Sequence, residues 1–359
     1  MNLTLSSAPL SFAMAVAMAV TAAAQNLVEV GPLPGGTWSQ AIGASANGNV
    51  VIGNSSGPTG DFAFRIVDNG APQDLGVLPG AFGMYAIAVS GNGRTVVGFT
   101  FGAPSGEAWR WSVNGGLQAL PSLPGSLLGA AAYGVNQDGT LVCGTSSSPD
   151  GDRAVRWTQN GIQNLGTLPG GAYSFAYAIS RNGHAIAGLS DSPNGERAIR
   201  WTAAQGMREL GGLQPGDWSA GFAISRNGNV VVGYSGLSQV RWVGNGPAQD
   251  LGRLPGGGFG SAYSCSGNGQ LVGGVGEDAN GLFCATLWSP ALGMRKLEDV
   301  LSMLQIDCTG WTFDVVTGIS SDGYTLTGMG TFDGEGRGFV VNLPGPCGPG
   351  GVHHGQGNG

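Results

Sequence analysis

Charge is scarce in this 359-residue chain: Asp, Glu, Lys and Arg together make up 10% of it. Hydrophobic residues make up 42%, which excludes a chain kept unfolded by low hydrophobicity and high charge. Basic residues are few and scattered, 15 in all against a net charge of −7. No clustered cationic stripe is available to neutralise phosphates or to settle on an anionic membrane, so no nucleic-acid partner is expected. Histidine is rarer still, with three residues. His184 stands beside a turn where other copies carry Asn49, Arg94 or Asn229, and His353 and His354 lie in the tail. A serine nucleophile therefore has no evident base. The five cysteines, Cys143, Cys265, Cys284, Cys308 and Cys347, are too few and too irregular for a disulfide scaffold or a zinc ribbon. Cys143, Cys265 and Cys284 read as core residues, while Cys308 and Cys347 flank the last repeat and could bridge in an oxidising compartment or stay free. Cys347, His353 and His354 lack an evident fourth metal ligand. Walker A and dinucleotide-binding loops are missing, so no cofactor is expected.

Glycine is abundant, with 69 residues, but it follows no three-residue period, which excludes collagen. Residues 10–20, LSFAMAVAMAV, form an apolar run too short to span a bilayer, followed by Ala22, Ala23 and Ala24. This predicts a secretory signal peptide over residues 1–24, although its leading segment lacks Lys and Arg; a disordered apolar leader is the alternative. The expected location is extracellular, with no membrane insertion once the signal is removed. Residues 344–359 are rich in Gly and Pro and read as a disordered tail.

A repeat organises everything between. Leu-Pro-Gly recurs at 33–35, 78–80, 123–125 and 168–170, always 45 residues apart. A Ser or Asn, any residue, Asn or Asp and then Gly appears seven times, from Ser45–Gly48 to Ser320–Gly323. Five residues after each turn glycine stands another, at Gly53, Gly98, Gly144, Gly188, Gly233, Gly274 and Gly328. Each unit reads as four strands. In the fourth, these are Phe175–Ser180, Ala185–Gly188 after the Asn182-Gly183 turn, Arg197–Trp201, and an outer strand of the type Gln163–Leu168. Four strands per 40–50 residues is the sequence form of a propeller blade. The expected fold is all-β, a seven-bladed β-propeller over residues 27–343. Its last blade would be closed by the N-terminal segment Leu27–Leu33, which hides the ring's edges. Small residues in the first strands let seven of them crowd the axis. The third strands carry bulk, Trp111, Trp157, Trp201, Trp242 and Trp288, which reads as core. Arg65, Arg110, Arg156, Arg200 and Arg241 alternate with this bulk and are expected between blades, paired to backbone carbonyls or turn side chains. A ligand-binding ring of arginines is the sharper alternative.

Units such as Leu165–Gly171, Ala178–Gly183 and Arg197–Trp201 resemble the HAF repeats of extracellular bacterial proteins. The ending, Lys296–Leu301 through Gly310-Trp311 to Ile319–Gly323, is similar to that family's last unit. The name-giving His-Ala-Phe here reads Phe62-Ala63-Phe64, Glu107-Ala108-Trp109 or Arg197-Ala198-Ile199. The resemblance implies export and a repeat fold, and brings no established activity and no catalytic residue. The Gly-His and Trp-Asp signals of WD repeats are missing, and the Asp-box of sialidases does not fit.

Functional candidates fall on loops, where a rigid scaffold can display them. Fourth-to-first and second-to-third connections open on one face. Trp38, Tyr85, Tyr173, Trp218, Phe259 and Trp311 are the expected ligand-binding aromatics there, beside Phe82 and acids such as Asp61, Asp191, Glu196 and Asp278. Such a face suits a glycan, by stacking and hydrogen bonding, or a protein. The opposing expectation is that the aromatics tuck under their own loops. Asp150-Gly151-Asp152 lacks the alternating ligands of a calcium loop. The function expected is a non-catalytic binding or interaction module; a glycan-cleaving enzyme using two loop carboxylates is the alternative. A purely structural surface component is a third.

Overall fold

The computed structural model describes residues 26–102 and 106–344. The expected signal peptide, the tail from 345 onward and Cys347 with its candidate bridge lie outside the described residues. Cys308 pairs with no other described cysteine.

Twenty-eight strands, β1 to β28, form seven antiparallel sheets of four. The protein is a seven-bladed β-propeller. Six blades are continuous in sequence; the fourth, for example, is β14 (Ser174–Ile179), β15 (Ala185–Ser190), β16 (Arg197–Thr202) and β17 (Gly206–Glu209). The seventh is composite. Its β26 (Trp311–Ile319), β27 (Thr325–Phe332) and β28 (Glu335–Asn342) come from the end of the chain, and β1 (Leu27–Val30) supplies the outer strand. Leu27 pairs with Val341 and Val30 with Gly338, so the ring has no open seam. Outer strands are shorter than their sequence suggests: β13 (Gly161–Asn164) stops before Leu165–Leu168, which forms the link to the next blade. There the Leu-Pro-Gly segments turn. Gly35, Gly80, Gly125 and Gly170 hold φ of 75–85°, which suits glycine, while the leucines tuck into the core.

The repeated turn carries its own hydrogen bonds. In the fourth copy Ser180 Oγ accepts from Ala185 N–H at 3.0 Å and donates to Asn182 Oδ1, which also accepts from His184 N–H. Turns are then stitched to one another. Ala46 N–H donates to Gly91 O, Asn92 to Gln137, Gln137 to Arg181, Asn182 to Arg226, Arg226 to Gly267, Gly267 to Ser321 and Asp322 back to Ala46, at 2.8–3.2 Å. This is a closed ring of seven backbone hydrogen bonds. His184 is exposed beside its turn.

The core lies between blades. Trp157, Trp201 and Trp242 are buried, each worth roughly 4–6 kcal/mol of apolar burial before entropy; Trp111 and Trp288 are partly covered. The arginines do sit between blades, three of them with partners other than those expected. Arg65, Arg156 and Arg241 lay their guanidiniums over Trp111, Trp201 and Trp288 of the next blade, 4.4–4.8 Å from the ring centres. Each also bonds the glutamine opposite it on its own outer strand, Gln73, Gln163 or Gln249. Arg200 takes partners of the expected kind, the turn side chain Asn245 Oδ1 and the backbone Gly228 O of the next blade. A helix that the sequence reading did not assign, α1 (Leu297–Met303), follows the sixth blade and buries Leu297, Val300 and Leu301.

Candidate functional site

Antiparallel pairing divides the connections between two ends. The Ser-x-Asn-Gly turns and third-to-fourth connections form one, the turn face; the other two sets form the loop face. Between them runs a channel whose lining follows from one backbone irregularity. Every inner strand skips register at the same place, next to the glycine five residues past the turn. At Gly188 a Cβ would fall 1.9 Å from Phe175 O, and at Gly98 1.8 Å from Tyr85 O. Only glycine lets the second strand pass that carbonyl. The bulged residues face the channel: Ile42, Ile87 and Thr317 on one side, Tyr133, Tyr177, Phe222 and Tyr263 on the other. The four aromatics touch in sequence, with ring centres 5.2–5.6 Å apart. Sequence reading noted the flanking small residues but missed this arc. Its signal was the large residue framed by Ala or Gly, as in Ala176-Tyr177-Ala178. The channel encloses about 180 Å³.

The expected aromatics divide by environment. Tyr85 donates to Asp61 Oδ2 at 2.7 Å and stacks near Phe101, while Tyr173 donates to Glu196 Oε1 at 2.9 Å. Both phenols are pushed up to about 12, Tyr85 first by burial and Tyr173 first by its bonded carboxylate. Trp38 is partly buried, and Phe259 sits edge-on to Phe283. Trp311 is in the core of the last blade, in the same cluster as the buried α1 residues and stacked on Phe313, and is not a surface residue. Trp218 alone of the six is widely open, 62% exposed.

Loop acids are largely spoken for. Asp191 accepts from Ala172 N–H, Asp217 from Gln214 N–H and Ser235 Oγ, and Asp278 holds Lys296 Nζ at 2.7 Å. Lys296 and two backbone amides hold the Asp278 carboxyl down at about 2. The Asp150-Gly151-Asp152 loop turns two backbone carbonyls onto Arg153. Among the described residues, no three His, Cys, Asp or Glu side chains gather as a metal would need.

The loop face also exposes large apolar side chains. Phe82 (71%), Leu127 (85%), Leu128 (75%), Trp218, Leu237, Leu282 and Phe283 all stand on fourth-to-first or second-to-third connections or at their ends. They are distributed around the second, third, fifth and sixth blades. Leucines at loop tips were not singled out from sequence, because nothing in the repeat marks them as uncovered.

At the turn-face end of the channel, Arg181 reaches across the axis. Its guanidinium approaches Ala44 O of the first blade and Val89 O of the second, both at 3.3 Å. Burial, and then the neighbouring charge of Arg226, lower it to about 10.

No protein-family model matches the chain, and no curated protein matches it either. Among solved structures it is similar to an oligogalacturonate lyase from Vibrio parahaemolyticus. The TM-score is 0.57 at 11% identity, covering 89% of this chain and 97% of that one. It also resembles TolB from Acinetobacter baumannii, with a TM-score of 0.47 at 12% identity, over 93% of this chain and 69% of the other. Likeness at this identity speaks of the fold alone. No helix among the described residues is long and apolar enough to cross a membrane.

Proposed function

We propose that the chain is an exported, non-catalytic interaction module that docks a protein partner on its loop face. The observation that carries this reading is the set of large apolar side chains left open there, Trp218 with Phe82, Leu127, Leu128, Leu237, Leu282 and Phe283. Large apolar groups left open side by side on one face of a folded domain mark interaction surfaces, and Leu127-Leu128 and Leu282-Phe283 stand open as neighbours. Aliphatic tips favour protein over glycan, because a sugar is gripped by flat aromatic faces beside free polar groups. Here the phenols of Tyr85 and Tyr173 and several loop acids are already bonded to one another. Remaining acids such as Glu107 and Glu277 suit a partner whose apolar anchors are framed by Lys and Arg. The same engagement of Asp61, Glu196 and Asp278 leaves little support for the glycan-cleaving alternative, which needs two free carboxyls across a cleft.

Immobilised wild-type protein and an L128S/W218A/F283S variant, exposed to the culture supernatant of the source organism, test the reading. The expected result is a discrete protein retained by the wild type, lost by the triple variant and kept by a turn-face Tyr324→Ser control. Equal retention by the triple variant contradicts it. Trp218-dependent binding on a glycan array, without a protein partner, replaces it with the glycan reading.

A further inference from the structure

We propose that the turn-face neck of the channel is a binding site for a small oxyanion. A carboxylate or phosphate group would be held between the guanidiniums of Arg181 and Arg226, with the Ser321 hydroxyl as a third donor. All three line the same cavity of about 180 Å³ and also its turn-face mouth. They occupy the variable second position of their turns, in the fourth, fifth and seventh blades, and the backbone ring holds those positions around the axis.

Two observations point independently to a ligand. The first is charge. Arg197 and Arg337 each meet a glutamate, but neither Arg181 nor Arg226 takes part in any salt bridge among the described residues. Arg181 meets only two long contacts to neutral carbonyls, which leaves most of its five donors unused. Arg181 is half-buried beside the like charge of the exposed Arg226, and a bound anion offsets that repulsion. The mouth's carboxylate, Asp322, has its Oδ1 engaged by Ser320 Oγ and Tyr324 N–H within its own turn. The second observation is a stranded hydroxyl. Ser321 is 9% exposed, and its Oγ has no hydrogen-bond partner. A buried polar group left unpaired in this way costs free energy that a ligand oxygen returns.

Gly267 makes the room. A Cβ there would fall 2.2 Å from Ser321 Oγ and 3.2 Å from Arg226 Nε, so both groups converge over the same bare α-carbon. Above the neck stand Tyr177, Phe222 and Tyr263, which offer ring faces to an organic acid but nothing to a bare inorganic ion.

Calorimetric titration of the purified protein at low salt, with inorganic phosphate and separately with benzoate, tests the site. The expected result is single-site binding of at least one probe. It should weaken about tenfold or more in Arg226→Gln, as loss of a charge-assisted contact requires, and severalfold in Ser321→Ala. Arg65→Gln, at the rim of the blades, should bind as the wild type does. Phosphate alone marks a free oxyanion site; tighter benzoate marks an organic acid lying on the aromatic arc. Arg181→Gln should also lose binding, but its side chain touches the first and second blades, so Arg226→Gln and Ser321→Ala carry the decision. No saturation by either probe up to about 10 mM, well past the millimolar range of weak sites, overturns the proposal. Unchanged affinity in Arg226→Gln does the same.

Discussion

Seven turns at one end of the ring repeat the same hydrogen bonds from blade to blade, whereas the connections at the other end differ in length and in what they expose. The turn face is fixed by short-range chemistry: a hydroxyl or amide side chain, an Asn or Asp that bonds two residues on, and a glycine at positive φ. Its seven turns then join into a closed ring of backbone bonds. The loop face keeps one device, the turn with its buried leucine, and varies the rest, so apolar tips stand open on some blades while aromatics are tied down on others. Closure belongs to the first face, and docking of a protein partner is proposed for the second.

The contrast can be broken at several strengths. Removing residues 26–31 takes β1 from the last blade and bares the edge of β28 over four residue pairs. The expected outcome is the largest: loss of a single cooperative melt and aggregation on size-exclusion chromatography, with both faces lost together. Gly188→Val comes next. Its Cβ has no place beside Phe175 O, and a cost of about 3 kcal/mol or more is expected in urea unfolding, without regard to face. Ser180→Ala sharpens the comparison. It strands the Ala185 amide and frees Asn182, for an expected loss of about 1–2 kcal/mol. Trp218→Ala on the open loop face should move stability by no more than about 0.5 kcal/mol. Equal costs for these two would erase the division between a structural and a recognition face.

The smallest expected effect is confined to high pH. Tyr85 and Tyr173 hold their protons to about 12, against an ordinary value near 10, so the folded state binds more protons than the unfolded state in that window. Their contribution is intact below pH 10 and fades as pH rises from 10 toward 12. Tyrosinate absorbance should therefore show a late-titrating group of phenols that also includes Tyr133, Tyr177 and Tyr234, each raised first by burial, and Asp61→Asn should bring Tyr85 earlier within it.

Much of the architecture was legible because a repeat states its rules many times. The seven turns, their fixed offset to a second glycine and the strand left over at the start were enough for seven blades and a composite closure. The tryptophans read correctly as core in the third, fourth and fifth blades. What was not legible depends on neighbours that only ring closure brings together. Arg65 finds Trp111 in the next blade, and Arg181 finds Ala44 O across the axis, at separations no local pattern encodes. The bulge lay hidden because Tyr177 reads as an ordinary alternating strand residue until the carbonyl over Gly188 forces the register to slip. Trp311 was placed on a loop, whereas it opens β26 and shares a core cluster with α1, which went unassigned in the sequence. The open leucines were missed because nothing in the repeat marks a loop-tip residue as uncovered.

Amide hydrogen exchange of the protein with and without its captured partner tests the central division most directly. The account predicts new protection on the connections around Phe82, Leu128, Trp218 and Leu282, with the turn amides from Ala46 to Asp322 already slow and unchanged. New protection confined to the turn face, with the loop connections exchanging as before, would contradict it.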